Sequence, residues 1–183
     1  MKLIQTQTLT STASSIEFLS SGTWGQYDDL LALVSLRATT DRSGVGYYDC
    51  QLRLNDVTSG YTTRVLYGSG TYANSYVPGT GGIRFGAAND SSTTSNTFTN
   101  TSVYIPNINS SASKSVNCDG AQESNSGTAE EATIDMAIGL SNVTSAITKV
   151  AFFIELGTIT MAIGSSISLY GITKGSDGIV TTS

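Results

Sequence analysis

The chain has 183 residues, of which 9 are Lys or Arg and 14 are Asp or Glu, giving a formal net charge of −5, and it has no histidine. The length suits one domain that buries roughly 70% of its unfolded surface, so neither metal nor disulfide staples are required. The missing histidine excludes Ser-His-Asp and Cys-His nucleophile arrangements and His-based zinc sites, and an acidic, lysine-poor chain lacks the electrostatic footprint of a nucleic-acid binder.

Serine and threonine supply 53 residues, while charged residues are only 13% and hydrophobic residues 39%. Disorder would need low hydrophobicity with high net charge. Hydroxyl-rich, β-branched sequences instead suit pleated, half-buried surfaces, so an all-β fold is expected. The opening Met1-Lys2-Leu3-Ile4 lacks an apolar signal run, and no window approaches a membrane-spanning length of apolar residues. The expectation is a chain made in the cytoplasm without a secretory leader or membrane anchor. In that compartment Cys50 and Cys118 read as reduced, partly buried thiols; a bridge between strands is the alternative where the chain matures outside it.

From Leu3 to Phe18 the residues alternate, with Thr6, Thr8, Thr10 and Thr12 on one parity and then Ile16 and Phe18 against Ser15 and Glu17. Period two over short runs predicts strands. Gly22 and Gly25 mark a turn around Trp24. Tyr27 to Ala38 is ambiguous. Asp28 and Asp29 suit the first turn of a helix, but Leu30, Ala32, Val34 and Leu36 make one strand face, and the all-β context selects a central strand. After a polar loop to Gly46, Tyr47 to Leu54 places Tyr48, Cys50, Leu52 and Leu54 on one face. Asn55 to Gly60 is turn chemistry, Tyr61 to Tyr67 the return strand, and Gly68 to Gly82 an irregular loop or weak edge hairpin. Gly82 to Phe85 reads as a short strand, Ala87 to Asn96 as loop, and Thr97 to Ile105 as a strand stopped by Pro106. Lys114 to Asp119, Thr133 to Leu140, Ala146 to Leu156 and Ser166 to Ile172 complete the strands, with Gly120 to Glu131 as loop and Lys174 to Ser183 as a flexible tail. Eight to ten short strands without a convincing helix predict a single antiparallel β-sandwich domain, jelly-roll-like, over residues 1–173.

The adjacent acid pairs are Asp28-Asp29 and Glu130-Glu131. Neighbouring strand residues point to opposite faces, so neither pair alone makes the facing carboxylates of a glycosidase. A distant pair such as Asp49 with Glu155, or calcium donors such as Asp41 and Asp49, are the remaining acidic arrangements. Solvated turn acids are the simpler account, so the expectation is a chain that is not an enzyme and has no metal or cofactor. Six of the nine tyrosines fall between 47 and 76: Tyr47, Tyr48, Tyr61, Tyr67, Tyr72 and Tyr76. Trp24 and Tyr27 form a second aromatic group. Core packing, a protein-docking face and a sugar-stacking platform are the three uses such rings have. Gly68-Ser69-Gly70 opens no helix, so it is no phosphate cradle.

The opening Lys2-Leu3-Ile4-Gln5-Thr6-Gln7-Thr8-Leu9, the run Tyr27-Asp28-Asp29-Leu30-Leu31-Ala32-Leu33-Val34, the tract Val103-Tyr104-Ile105-Pro106 and the closing Ser168-Leu169-Tyr170-Gly171-Ile172 resemble small virion proteins encoded by tailed bacteriophages. That resemblance is thinnest over 38–95 and carries no catalytic residues. It implies a capsid decoration (cement) protein on the virion surface, a homotrimer that binds the major capsid protein, assembled in the host cytoplasm with no nucleic-acid or membrane partner. A tail-fibre or receptor-binding module taking a host glycan is the alternative. The expected contact residues are Leu3, Ile4 and Leu9 in an extended docking strand over 1–12, together with Trp24, Tyr47, Tyr61, Tyr67, Tyr72 and Tyr76. A strand of this kind can add to a partner's sheet edge.

Overall fold

The computed structural model describes residues 1–70, 72–124 and 132–175. Their strands are β1 (Lys2–Thr8), β2 (Ser15–Leu19), β3 (Asp29–Ser35), β4 (Tyr47–Leu54), β5 (Tyr61–Ser69) and β6 (Tyr72–Tyr76). The second half adds β7 (Ile83–Asn89), β8 (Asn100–Ile105), β9 (Lys114–Gln122), β10 (Thr133–Ser141), β11 (Lys149–Ile154) and β12 (Ser166–Ile172). All pair antiparallel. The ambiguous run after Tyr27 is a strand, as its alternation predicts, and Leu30, Ala32, Val34 and Leu36 are all buried. Three strands run at least two residues past the ends the sequence suggests. β5 continues to Ser69, β7 to Asn89 and β9 to Gln122, because in each the ladder to a neighbouring strand continues to those residues.

The small sheet has the order β2-β11-β4-β7, and the large one β1-β12-β3-β8-β9-β10-β5-β6. Setting aside the β5–β6 and β9–β10 hairpins, the chain visits the two sheets in the order large, small, large, small, small, large, small, large. That winding is a jelly roll: two four-stranded sheets closed over one core. The hairpins are insertions, and together they extend the large sheet past β8. Inward alternation fills the core. Phe152 of β11 meets Phe18 and Phe85 edge-on at 6.1 and 5.5 Å between ring centres. Cys50 and Cys118 are buried free thiols, and burial pushes both well above the ordinary thiol range.

Buried Asp29 is fully paired, as a carboxylate in a sandwich core must be. Asp29 accepts hydrogen bonds from the Tyr104 hydroxyl at 2.7 Å, the Asn107 N–H at 2.9 Å and Lys174 Nζ at 2.9 Å. Burial alone would raise its carboxyl; these donors outweigh burial and hold it below the usual range. Burial and the same carboxylate push the Tyr104 hydroxyl up to about 12. Lys174, expected at the start of a loose tail, is instead tied down: its N–H also reaches Asp28 Oδ2 at 2.6 Å. Residues 176–183 of that tail and the Glu130-Glu131 pair lie outside the described residues.

Candidate functional site

The expected contact residues fall into three places. Leu3, Ile4 and Leu9 lie along the first strand and the turn after it. β1 is not a detached arm. It pairs with β12 from Lys2 to Thr8 and forms one edge of the large sheet. Ile4 and Leu9 pack against the core, and Leu3 stays half exposed.

Trp24 and Tyr61 belong to the interior, each only 1% exposed. This corrects their placement at a contact surface. Trp24 lies in a short 3-10 turn, Trp24–Gln26, and packs into the core cluster. The Tyr61 hydroxyl accepts from the Leu54 N–H at 3.0 Å and donates to the Val57 carbonyl at 2.9 Å, pinning the 55–60 turn. An aromatic residue beside a turn can dock on a partner or brace the turn, and composition does not distinguish the two.

Tyr47, Tyr67, Tyr72 and Tyr76 do converge. They line two adjoining hollows of about 230 and 280 Å³ between the 42–47 segment and the β5–β6 hairpin. The Tyr67 ring stands between Tyr72 at 6.0 Å and Tyr76 at 5.7 Å. The Asn74 side chain donates to the Tyr72 hydroxyl at 3.2 Å. Opposite them, the loop is held by Asp90, whose carboxylate accepts from the Arg42 N–H at 2.7 Å and whose own N–H reaches the Gly46 carbonyl.

The cleft floor is a chain of charges that the sequence does not advertise. Arg84 of β7 pairs with Asp49 of β4 at 2.8 Å and with Asp135 of β10 at 2.9 Å, and its guanidinium lies 5.6 Å from the Tyr76 ring centre. Arg42 stands 3.6 Å from Glu155, which also accepts the Asp49 N–H. Asp49 and Glu155 therefore touch through the Asp49 backbone N–H, while each carboxylate faces an arginine. Arg42, Arg84 and Asp49 line the hollow, and Asp135 and Glu155 stand beside them, so each lining arginine faces a carboxylate. Among the described residues no three acidic or thiol groups gather to hold a metal ion. Burial, then Asp49, raises the Tyr47 hydroxyl, and burial raises that of Tyr76, so both remain neutral hydrogen-bonding groups at ordinary pH.

A second surface was not expected at all. On β10 the alternation is inverted. Thr133, Asp135, Ala137, Gly139 and Ser141 point inward, while Ile134, Met136, Ile138 and Leu140 face out. Inward space is scarce because β7 lies against this strand: a Cβ added at Gly139 would stand 2.3 Å from Ile83 Cγ2. Strand periodicity was visible in the sequence, but its facing was not. Comparisons of the chain with protein-family models, with curated proteins and with solved structures return no match.

Proposed function

We propose that the chain is a non-enzymatic structural component of a phage virion, a capsid decoration protein that stabilises the shell by binding major capsid subunits as a homo-oligomer. One observation supports this best. Of the twelve large apolar side chains that the described residues expose, seven (Leu3, Leu33, Leu66, Ile134, Met136, Ile138 and Leu140) lie on the outer face of the large sheet. A soluble monomer rarely gathers its exposed apolar side chains on one face unless another protein covers them. The β1 end of that face offers two docking devices together: a strand edge left unpaired among the described strands, and the exposed Leu3 and Leu33. Many such weak contacts, repeated over identical shell sites, hold firmly through high effective concentration. A ligand that binds only the assembled shell stabilises it by mass action.

The test is co-sedimentation of the purified chain with isolated capsids and with isolated tails. Capsid binding that Leu3→Asp with Leu33→Asp abolishes supports the proposal. Absence of the chain from purified particles overturns it.

The tyrosine cleft supports saccharide binding as a second proposal, because neutral hydroxyls, an exposed ring and an amide surround a concave lining whose arginines are each paired with a carboxylate. Sugars bind by ring stacking and hydrogen bonds, which such a lining supplies. A glycan array with wild type and Tyr72→Ala decides it: a signal lost in the variant supports a glycan site, and a blank array on the wild type removes it. Trp24, buried as it is, plays no part.

A further inference from the structure

We infer that the outer face of β10 and β5 is a self-association surface, on which a second copy of this chain packs sheet to sheet about a two-fold axis running along β10. The face is built around Ile134, Met136, Ile138 and Leu140, with Leu66 of β5 directly across from Met136; these five are 49–69% exposed.

Folding of the single chain does not account for these residues. Small inward groups on β10 are required by Ile83 and by the Arg84–Asp135 pair, but nothing among the described residues calls for large apolar groups outward. The next strand shows what solubility alone needs. In the rows of Leu140, Ile138 and Met136, β9 carries Ser115, Asn117 and Asp119 outward. Strand propensity favours isoleucine, but it favours threonine as well and does not favour methionine or leucine.

The area fits one copy of the same chain. At on the order of 100 Å² for each side chain, the stripe presents about 500 Å², at the upper end for an apolar patch on a lone monomer. The flanking polar residues of β5 and β9 bring the face near the roughly 800 Å² per partner of a standard interface. Sheets packing face to face in this way, with strands nearly aligned, form ordinary sandwich interfaces.

Charge fixes the axis. Arg64 on β5 lies in the row of Ile138, and Asp119 on β9 in the row of Met136. Among the described residues Arg64 makes no ion pair; its guanidinium donates only to the adjacent Thr63 carbonyl. A two-fold axis along β10 lays the β5 of one copy over the β9 of the other. Each Arg64 then stands over Asn117 of the second copy, one side chain's reach from its Asp119. A two-fold axis across the strands would instead set Arg64 over Leu66 and leave the cation unpaired. An isologous interface makes each such contact twice.

The surface lies at the opposite end of the large sheet from β1, so self-association is separable from capsid docking. The experiment is sedimentation equilibrium of the purified full chain across the micromolar range, with far-UV dichroism to confirm folding. The wild type is expected to reach twice the 19.1 kDa protomer mass, and Ile138→Asp to remain a folded monomer. Arg64→Glu and Asp119→Arg should each weaken association about tenfold or more, and the two together in one chain should restore it. A monomeric wild type overturns the proposal, as does a trimer, a dimer indifferent to Ile138→Asp, or a double swap no tighter than either single change.

Discussion

Strands β4 and β10 make an instructive pair. Both alternate with period two, broken in β4 only at the buried Gln51, yet β4 turns Tyr48, Cys50, Leu52 and Leu54 into the core, whereas β10 turns its large apolar residues to the outside. The difference comes from what lies above each strand. β4 sits mid-sheet in the small layer, under the full thickness of the sandwich. β10 belongs to an inserted hairpin whose inner side meets β7 at close range, where only small groups and the Asp135 carboxylate fit. A jelly-roll strand is apolar inward because it makes the core; an inserted strand is apolar outward when it serves another surface.

The largest expected contrast is between matched truncations in the two regions. Phe152→Ala removes a ring packed between Phe18 and Phe85 and should cost about 3–5 kcal/mol in urea unfolding. Ile138→Ala, measured at a concentration where the chain is monomeric, should stay within about 0.5 kcal/mol. Equal losses would show that the outer face of β10 is structural after all. Next comes the ion pair that ties the insertion to the small sheet. Arg84→Met strands Asp135 without its cation and should cost about 3 kcal/mol, much of it recovered in Arg84→Met with Asp135→Leu; no recovery would mean the carboxylate has another buried task. Gly139→Ala forces a methyl onto Ile83 and should cost about 1–3 kcal/mol, relieved by adding Ile83→Ala.

The smallest effect is set by pH and belongs to the jelly roll. Asp29 and Asp90 are both held below the ordinary carboxylate range: burial raises each, and hydrogen bonds to the charged form more than offset it. Their folded values lie below their unfolded ones. The stability they contribute is therefore fully present above about pH 4 and lost as pH falls through the folded values. Thermal melts at falling pH should show this loss, and Asp29→Asn should flatten it. An unchanged slope in that variant would place the acid sensitivity elsewhere.

Much of the fold was legible beforehand. The strand at 47–54 has the bounds that its alternation indicates, and the β5–β6 hairpin lies where Gly/Tyr/Pro composition allows one. The site was legible only in part. Four of the clustered tyrosines line one cleft, but Tyr61 and Trp24, equally aromatic and equally close to turns, are interior. Nothing local distinguishes them, because a ring's burial is decided by the strand that covers it. The Asp49–Arg84–Asp135 chain joins positions up to 86 residues apart and carries no spacing motif.

The sequence by itself determined the class and the periodicity: hydroxyl-rich, β-branched residues alternating in short runs form strands, since pleating is a property of neighbouring residues. Tertiary structure alone decided which side of each strand faces protein, which tyrosines meet and which carboxylates share an arginine. Those outcomes depend on the approach of distant segments, and a period of two reads the same from either face.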